Sequence, residues 1–315
     1  MQLKKHMLVA VTALLASVSL YAQRYENVPF GDFEKWAVRY IKESSLLGGR
    51  EHPLHMIAPT DTIRGNRIYD YSKTIWSTSN AYAVMMGVVK ASSSVIPDKG
   101  PAGTCAKIET VFDSCKVAGL VNVKVLVKGA IFWGKTFEPI SGVKDSYGFM
   151  DWGIPFTRRP NAVLLDYRSF VPNTGKLVSK GNKIIDGYDP ESVMFLLQNR
   201  KEDSKGNIHV KRVGTAVCHI DKSSGRWVMN FRIPVIYGDA RKDSSYREYM
   251  DLVTGNQSFY ALNSRGKRVP IPEEGWGDAS MPVTHAIMYI STGSHESFVG
   301  ALGNTLWVDN IRLEY

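Results

Sequence analysis

The sequence predicts an all-β protein, a jelly-roll antiparallel β-sandwich with few short helices. Segments rich in Val, Ile, Tyr, Phe and Thr recur along the chain, and polar turns separate them. Helical patterns are scarce, since only residues 33–45 and 243–253 could each hold a short helix. Many short strands with polar turns between them are typical of sandwiches, jelly rolls and barrels.

The predicted strands follow one another with few long connections. In chain order they are residues 108–112, 122–128, 162–170, 192–199, 208–220, 227–235, 284–292 and 305–315. Two polar loops, 200–207 and 221–226, join neighbouring strands and therefore predict antiparallel pairs. Residues 239–280 are polar and show little strand pattern. They are too long for a simple connection, which indicates a functional loop or an insertion.

Residues 1–22 are predicted to be a secretory signal peptide. Lys4 and Lys5 precede an apolar run, residues 7–20, that is too short to span a bilayer. Cleavage after Ala22 would leave 23–315 as one exported jelly-roll domain, located in the periplasm, at the cell surface or outside the cell. No other stretch is apolar enough to cross a membrane, so we expect no membrane span.

Charge and cysteine content restrict the partners and the covalent structure. The net charge of +9 comes from scattered basic residues, which does not favour nucleic acid as a partner. Cys105 and Cys115 flank a predicted strand whose length would hold them beyond disulfide reach. Cys218 lies on the apolar side of a predicted strand and is interpreted as a buried structural thiol.

Acidic residues near both ends of the chain predict a calcium site. On the last predicted strand, strict alternation would place Asp309 on one face with Trp307 and Ile311. A closed sandwich often pairs its first and last strands, which would bring Asp32 and Glu34 to Asp309 as a cluster of hard oxygen ligands. The alternative is that Asp309 caps a strand or pairs with an arginine.

A second candidate site is a segment dense in aromatic residues and interrupted by glycines. Flat rings exposed on loops suit sugars, whose C–H faces stack on them. The candidate ligand-binding residues here are Trp133, Tyr147, Phe149 and Trp152. Trp276, in the 239–280 stretch, is a further candidate. The alternative is that these rings pack against their own sandwich.

A catalytic carboxylate pair is the requirement of most glycoside hydrolases. The candidate acids are Glu109, Glu138, Asp145, Asp151 and Asp166. The sequence does not provide the distance between any two of them, so no catalytic residue is assigned.

Several segments, in a conserved order, resemble one family, the putative carbohydrate metabolism domain of Bacteroides-type bacteria. They are Gly-Asp-Phe-Glu at 31–34, residues 76–80, 106–110, 153–167, 291–293 and 298–311. The resemblance implies a jelly roll similar to carbohydrate-binding modules. In several such modules an N-terminal Phe-Glu and a C-terminal Val-Asp flank a structural calcium, positions that Glu34 and Asp309 hold here. The resemblance implies no catalytic residue.

These observations predict an exported, non-catalytic glycan-binding protein that acts in polysaccharide capture or metabolism. A glycoside hydrolase using a carboxylate pair is the first alternative. A structural or adhesion component of the cell envelope is the second. The sugar, its linkage and the oligomeric state are left open.

Overall fold

A computed structural model describes residues 24–117, 121–142, 147–172 and 174–315. The predicted signal peptide and the candidate acid Asp145 lie outside the described residues. The strands of the described part are β1 (Tyr25–Asn27), β2 (Trp36–Lys42), β3 (Glu51–Ile57), β4 (Asp61–Arg64), β5 (Trp76–Thr78), β6 (Ala81–Met85), β7 (Val88–Ser92), β8 (Val95–Lys99), β9 (Thr104–Glu109), β10 (Val111–Val117), β11 (Val121–Val127), β12 (Ala130–Thr136), β13 (Met150–Trp152), β14 (Ile154–Pro155), β15 (Ala162–Phe170), β16 (Lys176–Val178), β17 (Ile184–Asp186), β18 (Glu191–Glu202), β19 (Ile208–Ile220), β20 (Val228–Pro234), β21 (Ile236–Tyr237), β22 (Tyr260–Leu262), β23 (Arg268–Pro270), β24 (Glu273–Trp276), β25 (His285–Ser291) and β26 (Thr305–Glu314).

Helical structure in the same residues consists of short 3-10 turns. They are Ser45–Leu47, Tyr71–Lys73, Tyr147–Phe149, Lys180–Asn182, Ala240–Lys242, Glu248–Met250 and Gly255–Gln257. None of the described helices is long and apolar enough to cross a membrane.

Two large sheets face each other and confirm the predicted fold class. One has the order β20-β15-β26-β9-β8, with β1 also paired to β26. The other has the order β13-β12-β25-β18-β19-β21, with β14 also paired to β25, β24 to β19 and β5 to β12. The chain passes repeatedly from one sheet to the other, from β9 to β12, back to β15 and across to β18. Their pairings are antiparallel except that of β19 with β24, so the domain is a jelly-roll sandwich.

The main hydrophobic core fills the space between the two sheets. Leu165 and Leu306 come from the first sheet, and Phe195 and Met288 come from the second. All four side chains are fully buried. Removing this apolar surface from water is the dominant favourable term in folding, so the core fixes the two sheets against each other.

The 239–280 stretch forms an extra layer on the outer face of the larger sheet. Leu196 follows Phe195 and points to the opposite face, as successive strand residues do. It joins a second apolar cluster with Phe259 and Ile271. The stretch contains β22, β23, β24 and three 3-10 turns. Its apolar side chains pack it against the sheet.

The predicted helix at 33–45 is wrong. Residues Trp36–Lys42 form strand β2, which pairs antiparallel with β3 and parallel with β4. The buried residues Ala37, Arg39 and Ile41 alternate with more exposed ones, which is the period of a strand. The predicted helix at 243–253 is limited to the 3-10 turn Glu248–Met250.

Candidate functional site

The first and last strands lie side by side, as the sequence predicts. Strand β1 pairs with the end of β26, with Glu26 opposite Leu313. The segment that follows β1 continues this contact, since the Ile311 N–H donates to the Gly31 carbonyl over 2.9 Å. The fold thus carries Asp32 and Glu34 to the strand that bears Asp309.

The predicted alternation along β26 is wrong because the strand contains a bulge. Its pairing with β15 shifts between Leu164 and Asp166, opposite Asn310, whose φ is 52°. Leu306 and Val308 face the core before the bulge, and Ile311 and Leu313 face it afterwards. Asp309 lies on the other side of the strand, yet it is only 3% exposed.

The loop between β8 and β9 covers Asp309 and contacts the exposed Glu34. A side chain at Gly100 would begin 2.9 Å from Asp309 Oδ2, and one at Gly103 would overlap the Glu34 carboxylate. Glu34 Oε1 accepts the Thr104 N–H over 2.9 Å. Burial first, and then the charges of Asp166, Glu34 and Asp32, raise the pKa of Asp309 to about 6.

Calcium fits this arrangement in ligand type, because the available donors are hard oxygens. In the described ranges, however, no three acidic, histidine or cysteine side chains converge at metal-binding spacing. The predicted ligands Asp32, Glu34 and Asp309 are therefore close enough to interact electrostatically but do not form a closed coordination shell. Calcium binding stays a prediction.

The aromatic segment contributes mainly to the cores. Trp133 is 2% exposed and packs between the two sheets, whereas Trp152 is 1% exposed and packs on the outer face of the larger sheet. Phe132 and Phe259 lie 4.3 and 4.6 Å from the Trp152 ring, measured between ring centroids. The premise that these two indoles are exposed is wrong, so neither offers a free face to a sugar.

Tyr147 and Phe149, the other candidates of this segment, are half-buried. The Tyr147 ring lies 5.6 Å from that of Trp152 and belongs to the edge of the same cluster. The Arg268 guanidinium lies 5.4 Å from the centroid of the Phe149 ring. Both rings thus already have neighbours that the sequence pattern does not reveal.

Trp276, by contrast, lines a surface groove of about 910 Å³. The groove lies between β21, the turn Ala240–Lys242, the stretch 251–254 and the end of β24. The indole is half-buried, and its Nε1–H is buried with no hydrogen-bond partner among the described residues. Tyr237 stands in the same groove, and its hydroxyl donates to the Pro160 carbonyl over 2.9 Å.

A buried ion pair beneath the groove holds this wall in place. Arg212 and Glu273 are fully inaccessible to solvent and form a two-point pair. Arg212 lies 5.6 Å from the centroid of the Trp276 ring. Glu273 also accepts the Val253 N–H over 2.8 Å. The pair therefore ties the sheet to both segments that flank the groove.

Acidic side chains dominate the polar lining of the groove. Asp239 is held by Arg241 through two hydrogen bonds of 2.9 and 2.8 Å, which lower the pKa of Asp239. Asp251 and Asp278 are exposed, and no basic side chain within the described residues forms an ion pair with either. Asp251 Oδ1 accepts the Leu252 N–H over 2.7 Å, and the exposed carboxylates keep further capacity to accept hydrogen bonds from hydroxyl groups.

The candidate catalytic acids are dispersed over the molecule. Glu138 is paired with Arg39 at 2.7 Å in the interior. Asp166 accepts the Asn230 N–H and the Asn310 amide at 2.6 and 2.9 Å. Glu109 lies 2.8 Å from Lys107. Asp151 lines a different cleft. Among the described acids of the candidate set, none lines the Trp276 groove.

The sequence reasoning missed the acids of the groove. Asp239, Asp251 and Asp278 all lie in the polar 239–280 stretch. Their shared location in one long stretch with a tryptophan was the available signal. Their convergence depends on the way this layer packs on the sheet, which no sequence spacing specifies.

The family profile described as "Putative carbohydrate metabolism domain" matches residues 57–260. The chain belongs to this family. The family description connects the chain with carbohydrate metabolism. No curated protein matches the chain.

Two solved structures, both of proteins from Bacteroides species, are similar to this chain. One, described as a putative glycoside hydrolase from Bacteroides vulgatus, is 14% identical, with a TM-score of 0.43 over 70% of this chain and 76% of the other. A second, described as a putative glycoside hydrolase from Bacteroides thetaiotaomicron, is 15% identical, with a TM-score of 0.46 over 85% and 76%. At these values neither structure assigns an activity to this chain.

Proposed function

We propose that the chain is an exported, non-catalytic glycan-binding domain whose binding site is the groove lined by Trp276. The observation that carries the proposal is a half-buried indole beside exposed carboxylates that form no ion pair among the described residues, in a groove of about 910 Å³. Stacking on an aromatic ring and hydrogen bonding by a few polar groups are the usual means of recognising a sugar.

The charges of the groove favour an uncharged glycan. Arg241 is already paired with Asp239, and among the other charged groups of the lining the acids Asp243, Asp251 and Asp278 outnumber Lys242. Carboxylate oxygens accept hydrogen bonds from hydroxyls, but they repel carboxylated or sulfated sugars. A neutral hexose chain can stack on the indole ring and donate hydroxyl hydrogen bonds to the acids.

The test is the affinity of the purified domain for neutral oligosaccharides, selected on a glycan array and measured by calorimetry. Replacing Trp276→Ala should weaken binding by roughly 5- to 150-fold, the equivalent of about 1–3 kcal/mol for a ring-stacking contact. The melting temperature should change less than for a core tryptophan, because the Trp276 ring belongs to neither of the two large apolar clusters. Tyr188→Ala is the matched control, since Tyr188 is 69% exposed and lies outside the groove.

Two results would contradict the proposal. Unchanged affinity in a folded Trp276→Ala protein would remove the groove as the binding site. Release of reducing sugar ends by the wild type, lost in Asp251→Asn or Asp278→Asn, would show a glycoside hydrolase instead.

A further inference from the structure

A second cleft, separate from the Trp276 groove, crosses the short strand β14. It has a volume of about 690 Å³ and adjoins a depression of about 460 Å³. The two share Ile75, Ile154 and Pro155 in their linings, so they form one elongated surface with an apolar middle. None of the residues that line the Trp276 groove lines this cleft.

Arg200, on β18, brings a positive charge into the cleft. Its Nε donates to Gln198 Oε1 and its Nη2 to the Trp152 carbonyl, each over 2.9 Å. Both acceptors are neutral, and within the described residues no carboxylate lies within 4.0 Å of the guanidinium. Burial lowers the pKa of Arg200 to about 10, which still leaves it charged at neutral pH.

Two carboxylates also line the cleft, and the charge of Asp151 favours the charged form of Arg200, but among the described residues neither forms an ion pair with it. Asp151 Oδ1 accepts the Leu262 N–H over 3.0 Å. The two Glu202 oxygens accept the N–H and the hydroxyl of Ser264 at 2.8 and 2.7 Å. Burial first, and then the charge of Arg200, lower the pKa of His285 to about 4, so this histidine is neutral.

Lys135 adds a second positive charge to the same lining. It is exposed and, within the described residues, makes no ion pair. Arginine and lysine without a carboxylate partner are the groups that bind acidic ligands through charge-assisted hydrogen bonds. An elongated, partly apolar cleft suits a chain of sugar rings better than a small ion.

We propose that this cleft binds a uronic acid residue of an acidic glycan, with Arg200 as the donor to the sugar carboxylate and Lys135 beside it. The class of ligand rests on the proposed glycan-binding function, but the site uses different residues. The domain would then have two sites, one for neutral and one for acidic sugars.

The experiment compares three ligands by calorimetry at low ionic strength: an oligogalacturonate, a neutral galactose oligomer of equal length, and sodium acetate. Wild type should bind the oligogalacturonate, and this affinity should fall at about 0.3 M salt, where screening is strong. Arg200→Gln should weaken oligogalacturonate binding by roughly 10- to 100-fold, as expected for the loss of a hydrogen bond to a charged group. Arg200→Lys should restore part of it.

Matched variants keep the test decisive. Arg226→Gln changes an exposed arginine outside the cleft and should bind the acidic oligomer normally. Lys135→Gln, at an exposed position, should weaken binding of the acidic oligomer. This variant replaces Arg200→Gln in the test if Arg200→Gln does not fold. Trp276→Ala should leave acidic binding intact while reducing neutral binding, which separates this site from the first.

Three outcomes would overturn the inference. One is equal affinity for the acidic and neutral oligomers in the Trp276→Ala protein, in which the neutral site is disabled. Another is normal oligogalacturonate binding by folded Arg200→Gln or Lys135→Gln proteins. The third is displacement of the oligomer by acetate at similar concentration, which would show a general carboxylate site without glycan recognition.

Discussion

Glu191, the first residue of β18, is a buried carboxyl group with no hydrogen-bond partner in the part of the chain that the structure describes. It is fully inaccessible, and both of its oxygens are unpartnered. The hydroxyl of the neighbouring Ser169 donates to the Lys222 carbonyl instead. Burial first, and then the charge of Asp189, raise the pKa of Glu191 to about 9. The group is therefore a neutral acid in the folded protein at physiological pH.

This residue should make the stability of the fold depend on pH. An unfolded glutamate loses its proton near its ordinary pKa of 4.5, whereas folded Glu191 keeps it up to about 9. Between these values folding takes up a proton, so the free energy of unfolding falls as pH rises, by about 1.4 kcal/mol per pH unit from this group. The amide in Glu191→Gln cannot ionise, so this variant should become increasingly more stable than wild type from pH 5 to pH 9.

Urea unfolding at several pH values measures this difference. Glu296→Gln, which changes a partly exposed acid outside the core, is the control and should follow the wild-type profile. Parallel profiles for wild type and Glu191→Gln would show that Glu191 is charged in the folded state, with a partner that the structure does not contain.

Two tryptophans show that residue type alone does not predict whether a side chain is buried or lines a surface groove. Trp152 and Trp276 both lie in sequence segments that glycines interrupt. One is enclosed by Phe132, Phe259 and Tyr289, and the other lines a groove. The first enclosure requires β12, β25 and the distant 239–280 layer together, so local sequence carries no sign of it.

At the scale of elements, the 239–280 layer depends on one buried ion pair. Glu273 accepts hydrogen bonds from Arg212, from the Val253 N–H and from the Gln198 amide. Replacing Glu273→Gln would leave the Arg212 guanidinium charged and buried without its counterion. Loss of one partner of a buried pair typically destabilises a protein by about 3–5 kcal/mol. We expect a loss of this size in urea unfolding.

The matched control is Glu51→Gln, which breaks the exposed pair of Glu51 with Arg64. Surface pairs contribute about 0–1 kcal/mol, so this variant should stay close to wild type. Hydrogen exchange should also show that Glu273→Gln exposes the backbone of 250–276 before the sandwich itself. Equal stability of the two variants would mean that the layer is held by its apolar contacts alone.

The predictability of an element depends on where its partners lie. The long strands β18 and β19 form a hairpin, with Glu202 opposite Ile208. Their residue types and the polar loop between them therefore predicted them well. Strand β2 pairs with β3 and β4 in a small separate sheet, and the 33–45 pattern was compatible with a helix until those partners were known. The bulge at Asn310 likewise depends on its pairing with β15.

At the scale of the whole molecule, the two ends of the described chain close the sandwich. Strand β1 and the following residues lie along β26, and the acids Asp32 and Glu34 influence Asp309 across this contact. The sequence predicted this contact because charged side chains within an apolar strand sequence need a partner. It could not predict that the β8–β9 loop would cover Asp309.

The last prediction concerns calcium at this closure. A cation between these carboxylates would relieve their mutual repulsion, and a ligand that binds only the folded state stabilises it. At a calcium concentration about 100-fold above the dissociation constant, the gain would be about 2.7 kcal/mol, and the melting temperature should rise by several degrees. Asp309→Asn should abolish the rise, whereas Asp221→Asn, in the exposed 221–226 loop, should preserve it. If neither calcium nor a chelator changes the wild-type melting temperature, the three acids hold no calcium, and the cover of the β8–β9 loop over Asp309 together with the Thr104 hydrogen bond to Glu34 accounts for this contact.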